Sequence, residues 1–323
     1  MTKIVTSDVG GTHARFAIAT IEDGRVAGFS DPVTLRTGEH ASFEIALEAF
    51  ASQLGDPLPS ALAIAFAGPV GGDILKLTNN PWVIRPAQLR EALGVEHFTI
   101  VNDFGAVAHA ASVLDETDLR RICGPDGALP ADGVTTIVGP GTGLGVAALL
   151  RAADGAHQVI ETEGGHVDFA PLDALEDRML TELRKSFRRV SIERLVSGRG
   201  LMNIYLALGA IQRRPLELRD EKTLWAAAME GRDPLAAAAL DRLCLCFGAV
   251  TGDLALAQGA NAVVIAGGIG LRLADRLATS GFCDRFLAKG RFERRMADIP
   301  VRLITHPQPG LLGAATAFAR EHR

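Results

Sequence analysis

"IVTSDVGGTHARFAIA", residues 4–19, consists of two apolar runs joined by a turn that contains two glycines and a threonine. This pattern predicts a β-hairpin with a glycine-rich tip. A second stretch of the same form, "TTIVGPGTGLGVAALL", occupies residues 135–150. The half-repeat predicts two related α/β domains, each of which offers one glycine-rich tip to a shared cleft.

Helical patterns alternate with strand-like runs along the rest of the chain. They cover residues 42–54, 86–93, 104–113, 172–187, 197–209 and 235–258. The C-terminal segment 306–323 predicts a turn followed by one more amphipathic helix. Alternation of this kind indicates an α/β protein with largely parallel or mixed sheets.

The length of the chain predicts two domains, because 323 residues exceed what one hydrophobic core usually serves. Segment 115–133 is polar and rich in Gly, Pro and Asp, so we expect it to be a linker. The predicted small domain comprises 1–112 with 304–323, and the predicted large domain comprises 113–303.

Composition excludes several classes of partner. The chain is 48% apolar and 22% charged, as in soluble globular proteins. A net charge of -5 without a long basic patch, and only 5% aromatic residues, argue against a nucleic-acid partner. We find no signal peptide and no uncharged apolar run of about 18 residues, so we expect a cytoplasmic protein that does not span a membrane.

The four cysteines are Cys123, Cys244, Cys246 and Cys283, and none forms a CxxC pair. We expect reduced, structural thiols.

The first tip, "DVGGT" at 8–12, lacks the Gly-Lys-Ser/Thr ending of a P-loop. Gly10 and Gly11 can turn sharply and direct backbone N–H groups at an anion, and Thr12 adds a hydroxyl donor. Asp8 would repel a phosphate directly, so its natural role in a phosphate site is to hold Mg²⁺ through water. The alternative is an ordinary hairpin with an Asp at its corner.

The second tip, "GPGTGLG" at 139–145, repeats this chemistry with Gly141, Thr142 and Gly143. One such loop is weak evidence, since glycines close many hairpins, but two in one chain favour phosphate binding. A buried strand at 263–266 runs into Gly267 and Gly268, where a purine or ribose could lie against bare backbone. The alternative there is a simple strand-to-helix turn.

Asp103 follows the strand pattern "TIVN" at 99–102 and precedes a helical pattern. It could cap that helix. It could equally accept the proton of a hydroxyl that attacks a terminal phosphate. The two roles are sterically compatible.

The loop "ETEGGHVDF" at 161–169 concentrates Glu161, Glu163, His166 and Asp168 around two glycines. Its spacing is not that of a helical zinc motif. Carboxylates and imidazole can instead bind sugar hydroxyls, and the alternative is a surface turn with chance acids. Glu193 is most simply a first-turn residue behind an N-cap Ser191, without a functional role.

Taken in order, "DVGGT", "VNDF", "GPGTGLG", "EGGHVDF", "ERLVSGRGL" and "VVIAGGI" resemble the bacterial ATP-dependent glucokinase family. This is the hexokinase-like group of the actin/Hsp70/sugar-kinase superfamily. The resemblance runs from Asp8 to "PGLLGAA" at 309–315. It implies a two-domain α/β protein of the ribonuclease H-like, actin-like ATPase fold, with an active-site cleft between the domains.

The resemblance also implies roles for individual residues. Asp103 becomes the catalytic base. The implied glucose contacts are Asn102, Asp103, Glu163, His166 and Glu193, with Asn79 of "LTNNPW" added. The implied ATP-binding residues are Asp8, Val9, Gly10, Gly11, Thr12 and His13, then Gly139, Gly141, Thr142 and Gly143 around the phosphates, and Gly267 and Gly268 near the nucleoside. A homodimer is a further implication.

The chain departs from the family pattern at two positions. His13 stands where an Asn is expected after "GGT", and Pro140 stands where a small residue is usual. Pro140 removes one backbone donor from the second tip. The ROK-type relatives carry a cysteine-rich zinc motif that has no counterpart here, so zinc is not expected.

The activity implied by the resemblance is transfer of the γ-phosphoryl group of Mg-ATP to the 6-hydroxyl of D-glucose. Its products are glucose 6-phosphate and ADP. Three alternatives remain open from the sequence: a kinase for another hexose, a non-catalytic sugar sensor on the same fold, and an actin- or chaperone-like ATPase.

Overall fold

The computed structural model describes residues 1–77 and 80–322. The chain divides into a first unit, Met1–Leu114 with His306–Arg323, and a second unit, Asp115–Thr305.

The strands of the first unit are β1 (Thr2–Val9), β2 (His13–Glu22), β3 (Arg25–Phe29), β4 (Val33–Arg36), β5 (Ala61–Phe66), β6 (Leu75–Lys76), β7 (Val83–Ile84) and β8 (His97–Asn102). Those of the second unit are β9 (Leu119–Cys123), β10 (Gly133–Pro140), β11 (Leu144–Arg151), β12 (His157–Thr162), β13 (Ala262–Ile265) and β14 (Val301–Ile304).

The helices are α1 (Phe43–Ala51), α2 (Pro86–Leu93), α3 (Asp103–Ala111), α4 (Ala174–Leu183), α5 (Gly198–Gln212), α6 (Glu221–Glu230), α7 (Pro234–Gln258), α8 (Gly267–Arg272), α9 (Ala274–Leu277), α10 (Phe282–Leu287), α11 (Glu293–Ala297) and α12 (Pro309–Glu321). Short 3₁₀ turns cover Thr37–Glu39, Glu116–Asp118, Gly164–His166, Ile192–Arg194 and Gly290–Phe292.

The main sheet of the first unit has the order β3-β2-β1-β5-β8, and β4 pairs with the free end of β2. β1 and β2 form the antiparallel hairpin that the sequence predicted, with Val9 opposite Ala14. β1, β5 and β8 run parallel, so their carboxyl ends lie at one edge of the sheet.

β5, "ALAIAF", is buried along its whole length, and the side chains on its two faces differ in size. Ala61, Ala63 and Ala65 belong to the core that includes α12, whereas the larger residues between them belong to the core beneath α1. Because alanine occupies little space, α12 and α3 can lie close to the sheet and to each other. Gly313 of α12 lies directly against the backbone of Ala106 in α3.

The sheet of the second unit has the order β12-β11-β10-β13-β14-β9. β10 and β11 form the second predicted hairpin, and β13 and β14 extend the sheet in parallel with β10.

Segment 115–133 is not wholly a linker, so that part of the prediction is wrong. It contributes the edge strand β9, which pairs antiparallel with β14. Ile122 is buried, and Arg302 of β14 donates to the carbonyl oxygens of Pro125 and Gly127. β9 is only five residues long, and the Gly, Pro and Asp residues around it predicted turns instead of a strand.

Helix α7 is long and apolar enough to cross a membrane by length and composition alone. Within this chain 72% of its most apolar window is buried, as in the core helix of a globular protein. Its Cys244 and Cys246 are buried free thiols, and burial raises the pKa of Cys244 to about 11. Both therefore remain protonated packing residues at neutral pH.

We expect Gly313→Ala to destabilise the first unit. The added methyl group would lie closer than 3.0 Å to the carbonyl oxygen of Ala106, so α12 and α3 would have to separate. Overpacking of this kind costs about 1–3 kcal/mol, which urea unfolding would detect as a lower midpoint. Gly28→Ala is the control, since its Cβ would meet open space. Equal midpoints for both variants would contradict the packing argument.

Candidate active site

The first glycine tip extends from the end of β1. Asp8 is the register partner of Arg15 on β2, and an Arg15 Nη1 to Asp8 Oδ2 ion pair measures 3.1 Å. Burial raises the pKa of the Asp8 carboxyl, and the charge of the Arg15 guanidinium opposes that rise. The side chain keeps 24% of its surface exposed.

Thr37 holds the backbone of this tip. Its hydroxyl donates to the carbonyl oxygen of Gly11 at 2.8 Å, and its N–H donates to the carbonyl oxygen of Thr12 at 3.1 Å. In the trans peptide between Gly11 and Thr12, the N–H of Thr12 points opposite to the C=O of Gly11, which faces Thr37. The N–H of Thr12 therefore faces away from Thr37, toward the exposed side of the tip, where it can donate to an anion.

The second tip is held by a different element. Gly141 N–H donates to the carbonyl oxygen of Gly143 at 2.8 Å and closes the turn. Gly198 N–H, at the start of α5, donates to the carbonyl oxygen of Gly141 at 2.8 Å. Gly267 lies against the carbonyl oxygen of Pro140. The structure thus brings together the second tip and the glycines predicted to lie near a nucleoside.

Asn102, rather than Asp103, is the N-cap of α3, so the capping alternative for Asp103 is wrong. Asn102 Oδ1 accepts from the N–H groups of Phe104 at 2.9 Å and Gly105 at 3.2 Å, and its amide donates to Gly68 O at 3.1 Å. Asp103 is the first residue of the helix, half-buried, and its Oδ1 accepts from Phe104 N–H at 2.9 Å. The helix therefore does not depend on Asp103 for its cap.

Asp103 and the first tip lie at the same edge of the sheet. Val9 on β1, Phe66 on β5 and Asn102 on β8 are register partners in one row. Two strand spacings separate β1 from β8, which is about 10 Å. Asp103 therefore follows a strand that ends at the same sheet edge as the first tip.

Glu163 directly precedes the 3₁₀ turn Gly164–His166, and His166 is its last residue. Their side chains are 69% and 58% exposed, and Glu163 Oε2 lies 3.8 Å from His166 Nε2. The turn is fixed to β11, because Thr162 Oγ1 donates to Val146 O at 2.9 Å and accepts from Gly164 N–H. Two exposed polar side chains on a fixed turn suit the recognition of a polar ligand.

Glu193 makes a contact that the sequence interpretation missed. It lies in the 3₁₀ turn Ile192–Arg194, and its Oε2 accepts from the N–H of Leu144 at 2.9 Å. The two residues are 49 positions apart, so no local pattern could have revealed the bond. The residue is tied to the base of the second tip and does more than stabilise a helix dipole.

Other residues of these sites also carried no sequence signal. Arg15 and Thr37 hold the first tip, together with Asn80, whose amide donates to Gly11 O at 3.4 Å. Of the other predicted residues, Asp168 pairs with Arg189 at 2.5 Å, and Asn79 lies outside the described residues.

A metal ion would have to rely on few protein ligands. Among the described residues, no three His, Cys, Asp or Glu side chains come together as a metal cage. Mg²⁺ commonly binds through one or two carboxylates together with water and substrate phosphates. The carboxylate of Asp8, beside a tip with anion-binding geometry, fits that mode.

The chain matches known proteins along nearly its whole length. The profile of the glucokinase family matches residues 5–321. A curated glucokinase of Zymomonas mobilis is 62% identical over 320 residues, covering 99% of this chain and 98% of that protein.

Solved structures show the same fold. A glucokinase from an Antarctic psychrotroph superposes with a TM-score of 0.87 at 32% identity, with 99% of both chains covered. A ROK family glucokinase from Streptomyces griseus, solved with glucose and AMPPNP, gives 0.65 at 20% identity, with 98% of this chain and 99% of that one covered. The predicted two-domain α/β fold of the actin-like sugar kinases is confirmed, and the chain belongs to the glucokinase family.

Proposed function

We propose that the protein transfers the γ-phosphoryl group of ATP to the 6-hydroxyl of D-glucose and forms glucose 6-phosphate and ADP. The observation that carries this proposal is the row formed by Val9, Phe66 and Asn102. It sets Asp103 and the Asp8–His13 tip at one sheet edge, in a chain that is 62% identical to a glucokinase.

Asp103 acts as the general base in this proposal. Phosphoryl transfer passes through a loose transition state, so the hydroxyl proton is released late and the carboxylate chiefly orients the attacking oxygen. Asn102 supports this role, because it caps α3 and ties the strand end to Gly68. The base is thereby held at a fixed position on a rigid element.

Glucose would be bound by Asn102, Asp103, Glu163, His166 and Glu193, with Asn79 as a further contact. Carboxylates accept hydrogen bonds from hydroxyl groups, and a carboxylate can accept from two neighbouring hydroxyls at once. Asn102 and Asp103 belong to the first unit, and Glu163, His166 and Glu193 belong to the second. Water must be kept from the bound sugar, because water competes with the 6-hydroxyl as a nucleophile.

The two glycine tips would bind the ATP phosphates. Thr12 in the first tip, with its outward N–H and its hydroxyl, is the best placed donor there, beside Gly10, Gly11 and His13. In the second tip Thr142 and Gly143 would donate, whereas Pro140 has no N–H. The N–H of Gly141 closes the turn, so this glycine would instead let the phosphate approach the backbone closely. Gly267 and Gly268 would lie near the nucleoside.

We assign the divalent cation, most simply Mg²⁺, to Asp8 through water. When bound with the nucleotide, the cation neutralises charge on the phosphate oxygens. The ion pair with Arg15 uses Oδ2 of the Asp8 carboxylate, so Oδ1 is the oxygen that we assign to the hydrated cation. The residues present therefore suit a cation that arrives with ATP.

We further propose a cytoplasmic enzyme of glycolysis that has no nucleic-acid or membrane partner and that forms a homodimer. ATP and free thiols are both typical of the cytoplasm, and all four cysteines of this chain are free thiols.

A coupled kinase assay across hexoses and phosphoryl donors tests the activity. We expect the highest kcat/KM with glucose and ATP, and much weaker signals with mannose, fructose or N-acetylglucosamine and with ADP or polyphosphate. Sugar-independent ATP hydrolysis would favour an ATPase. Glucose binding without turnover would favour a sensor, and a better rate with another hexose would reassign the substrate.

We expect Asp103→Asn to lower kcat by at least about 10²-fold, because the amide cannot take the hydroxyl proton. The amide oxygen can still accept from Phe104 N–H, so α3 should keep its structure. Glucose binding, followed by calorimetry, should be weaker yet detectable. Asp56→Asn removes the same charge from an exposed loop of the same unit and serves as the control. Turnover like that of the unmodified enzyme in Asp103→Asn would remove this residue from the chemistry.

We expect EDTA to abolish turnover, and Asp8→Asn to raise the Mg²⁺ concentration for half-maximal rate several-fold. The reason is that the amide binds hydrated Mg²⁺ more weakly than a carboxylate does. Arg15→Leu is the matched control, since it breaks the same ion pair and retains the carboxylate. If both variants shift the Mg²⁺ requirement equally, the ion pair and not a cation contact explains the effect.

A further inference from the structure

Leu144 is the point in the second unit where three functional elements meet. It begins β11 directly after the second tip and is 5% exposed. Its N–H donates to Glu193 Oε2 at 2.9 Å. Its carbonyl oxygen lies against Gly165, where an added Cβ would come closer than 3.0 Å. One buried residue at the base of the phosphate tip thus contacts both elements assigned to the sugar.

Gly143 makes this meeting sterically possible. A Cβ at this position would lie closer than 3.0 Å to Glu193 Oε2. Any side chain here would push the carboxylate away from the N–H of Leu144. The same glycine accepts the Gly141 N–H bond that closes the tip. The carboxylate that is assigned to glucose therefore rests directly on the loop that is assigned to phosphate.

The segment 193–198 holds this tip at two places. Glu193 binds its base through Leu144, and Gly198 N–H binds its turn through the carbonyl oxygen of Gly141 at 2.8 Å. Glu193 itself is half-buried, and its bond to Leu144 uses Oε2. The carboxylate and the tip are therefore linked by the hydrogen bond to Leu144 and by the close approach of Gly143.

We propose that Glu193 and Gly143 couple the sugar to the nucleotide directly. A sugar hydroxyl that donates to Glu193 Oε1 would fix the carboxylate and, through Oε2, the base of the phosphate tip. The tip is then ordered before ATP binds, so each substrate raises the affinity for the other. This inference rests on the proposed function and assigns Gly143 as a positioning residue in it.

The first test measures glucose binding by calorimetry with no nucleotide present. We expect Gly143→Ala to weaken glucose binding by about 5-fold or more, although Gly143 belongs to the phosphate tip. Gly141→Ala is the matched control, because its Cβ would meet open space in the same tip. That variant should bind glucose as the unmodified protein does, whatever its effect on nucleotide.

The second test measures AMPPNP binding with no sugar present. We expect Glu193→Ala to weaken it by about 5-fold or more, because the base of the tip loses its acceptor. Glu163→Ala is the control, since the Glu163 side chain is 69% exposed and lies beside His166, whereas the Leu144 N–H is bound by Glu193. It should leave sugar-free nucleotide affinity unchanged. Glu193 is half-buried at the surface, so this second variant keeps the inference testable if Gly143→Ala does not fold.

The outcomes separate this inference from the proposed function. If the unmodified protein binds no glucose, the proposed function fails. If it binds glucose, and Gly143→Ala and Glu193→Ala behave as their controls do, the coupling is refuted while the kinase assignment stands. Thermal unfolding of every variant shows whether a lost affinity merely follows from lost structure.

Discussion

The close approach of α12 to β1 and α3 is the constraint on which the first unit depends. Gly310 places the helix so near β1 that a Cβ there would lie 2.8 Å from the Asp8 carboxylate. One turn further, Gly313 meets Ala106 of α3. Thr6 adds a buried hydroxyl bond to Leu311 O at 2.8 Å. The C-terminal helix thus packs on both elements that carry the carboxylates proposed as general base and cation ligand, and it can do so because its contacting residues are small.

Local patterns in the sequence were enough to predict both hairpins, most of the longer helices and the α/β class, because these depend on periodicity and turn residues; α6 was not predicted. Contacts that depend on distant residues were not predictable. Asn102 could not be distinguished from Asp103 as the cap, since both residue types cap helices and only the backbone decides between them. The partner of Glu193 lies 49 residues away, and β9 is too short to outweigh the turn residues around it.

The two hairpins are alike in sequence, but their tips differ in structure. In the first, the last strand pair is Val9 with Ala14, which leaves a four-residue tip; in the second it is Pro140 with Leu144, which leaves three. The first tip is held through its carbonyl groups by Thr37, and the second by the start of α5. An internal repeat therefore predicts the strands well and the chemistry of each tip poorly, because the tips depend on segments outside the repeat.

In the proposed coupling, one oxygen of the Glu193 carboxylate binds the sugar and the other holds the base of the phosphate tip. An enzyme that moves phosphate to an alcohol must avoid moving it to water, and a phosphate tip that is fully ordered without sugar would favour that loss. If the tip is held by a carboxylate that the sugar further immobilises, the donor site is best ordered when the acceptor is present. Binding energy from a sugar hydroxyl far from the reacting oxygen is then used to order the phosphate site, which raises the rate of transfer instead of merely tightening the substrate complex.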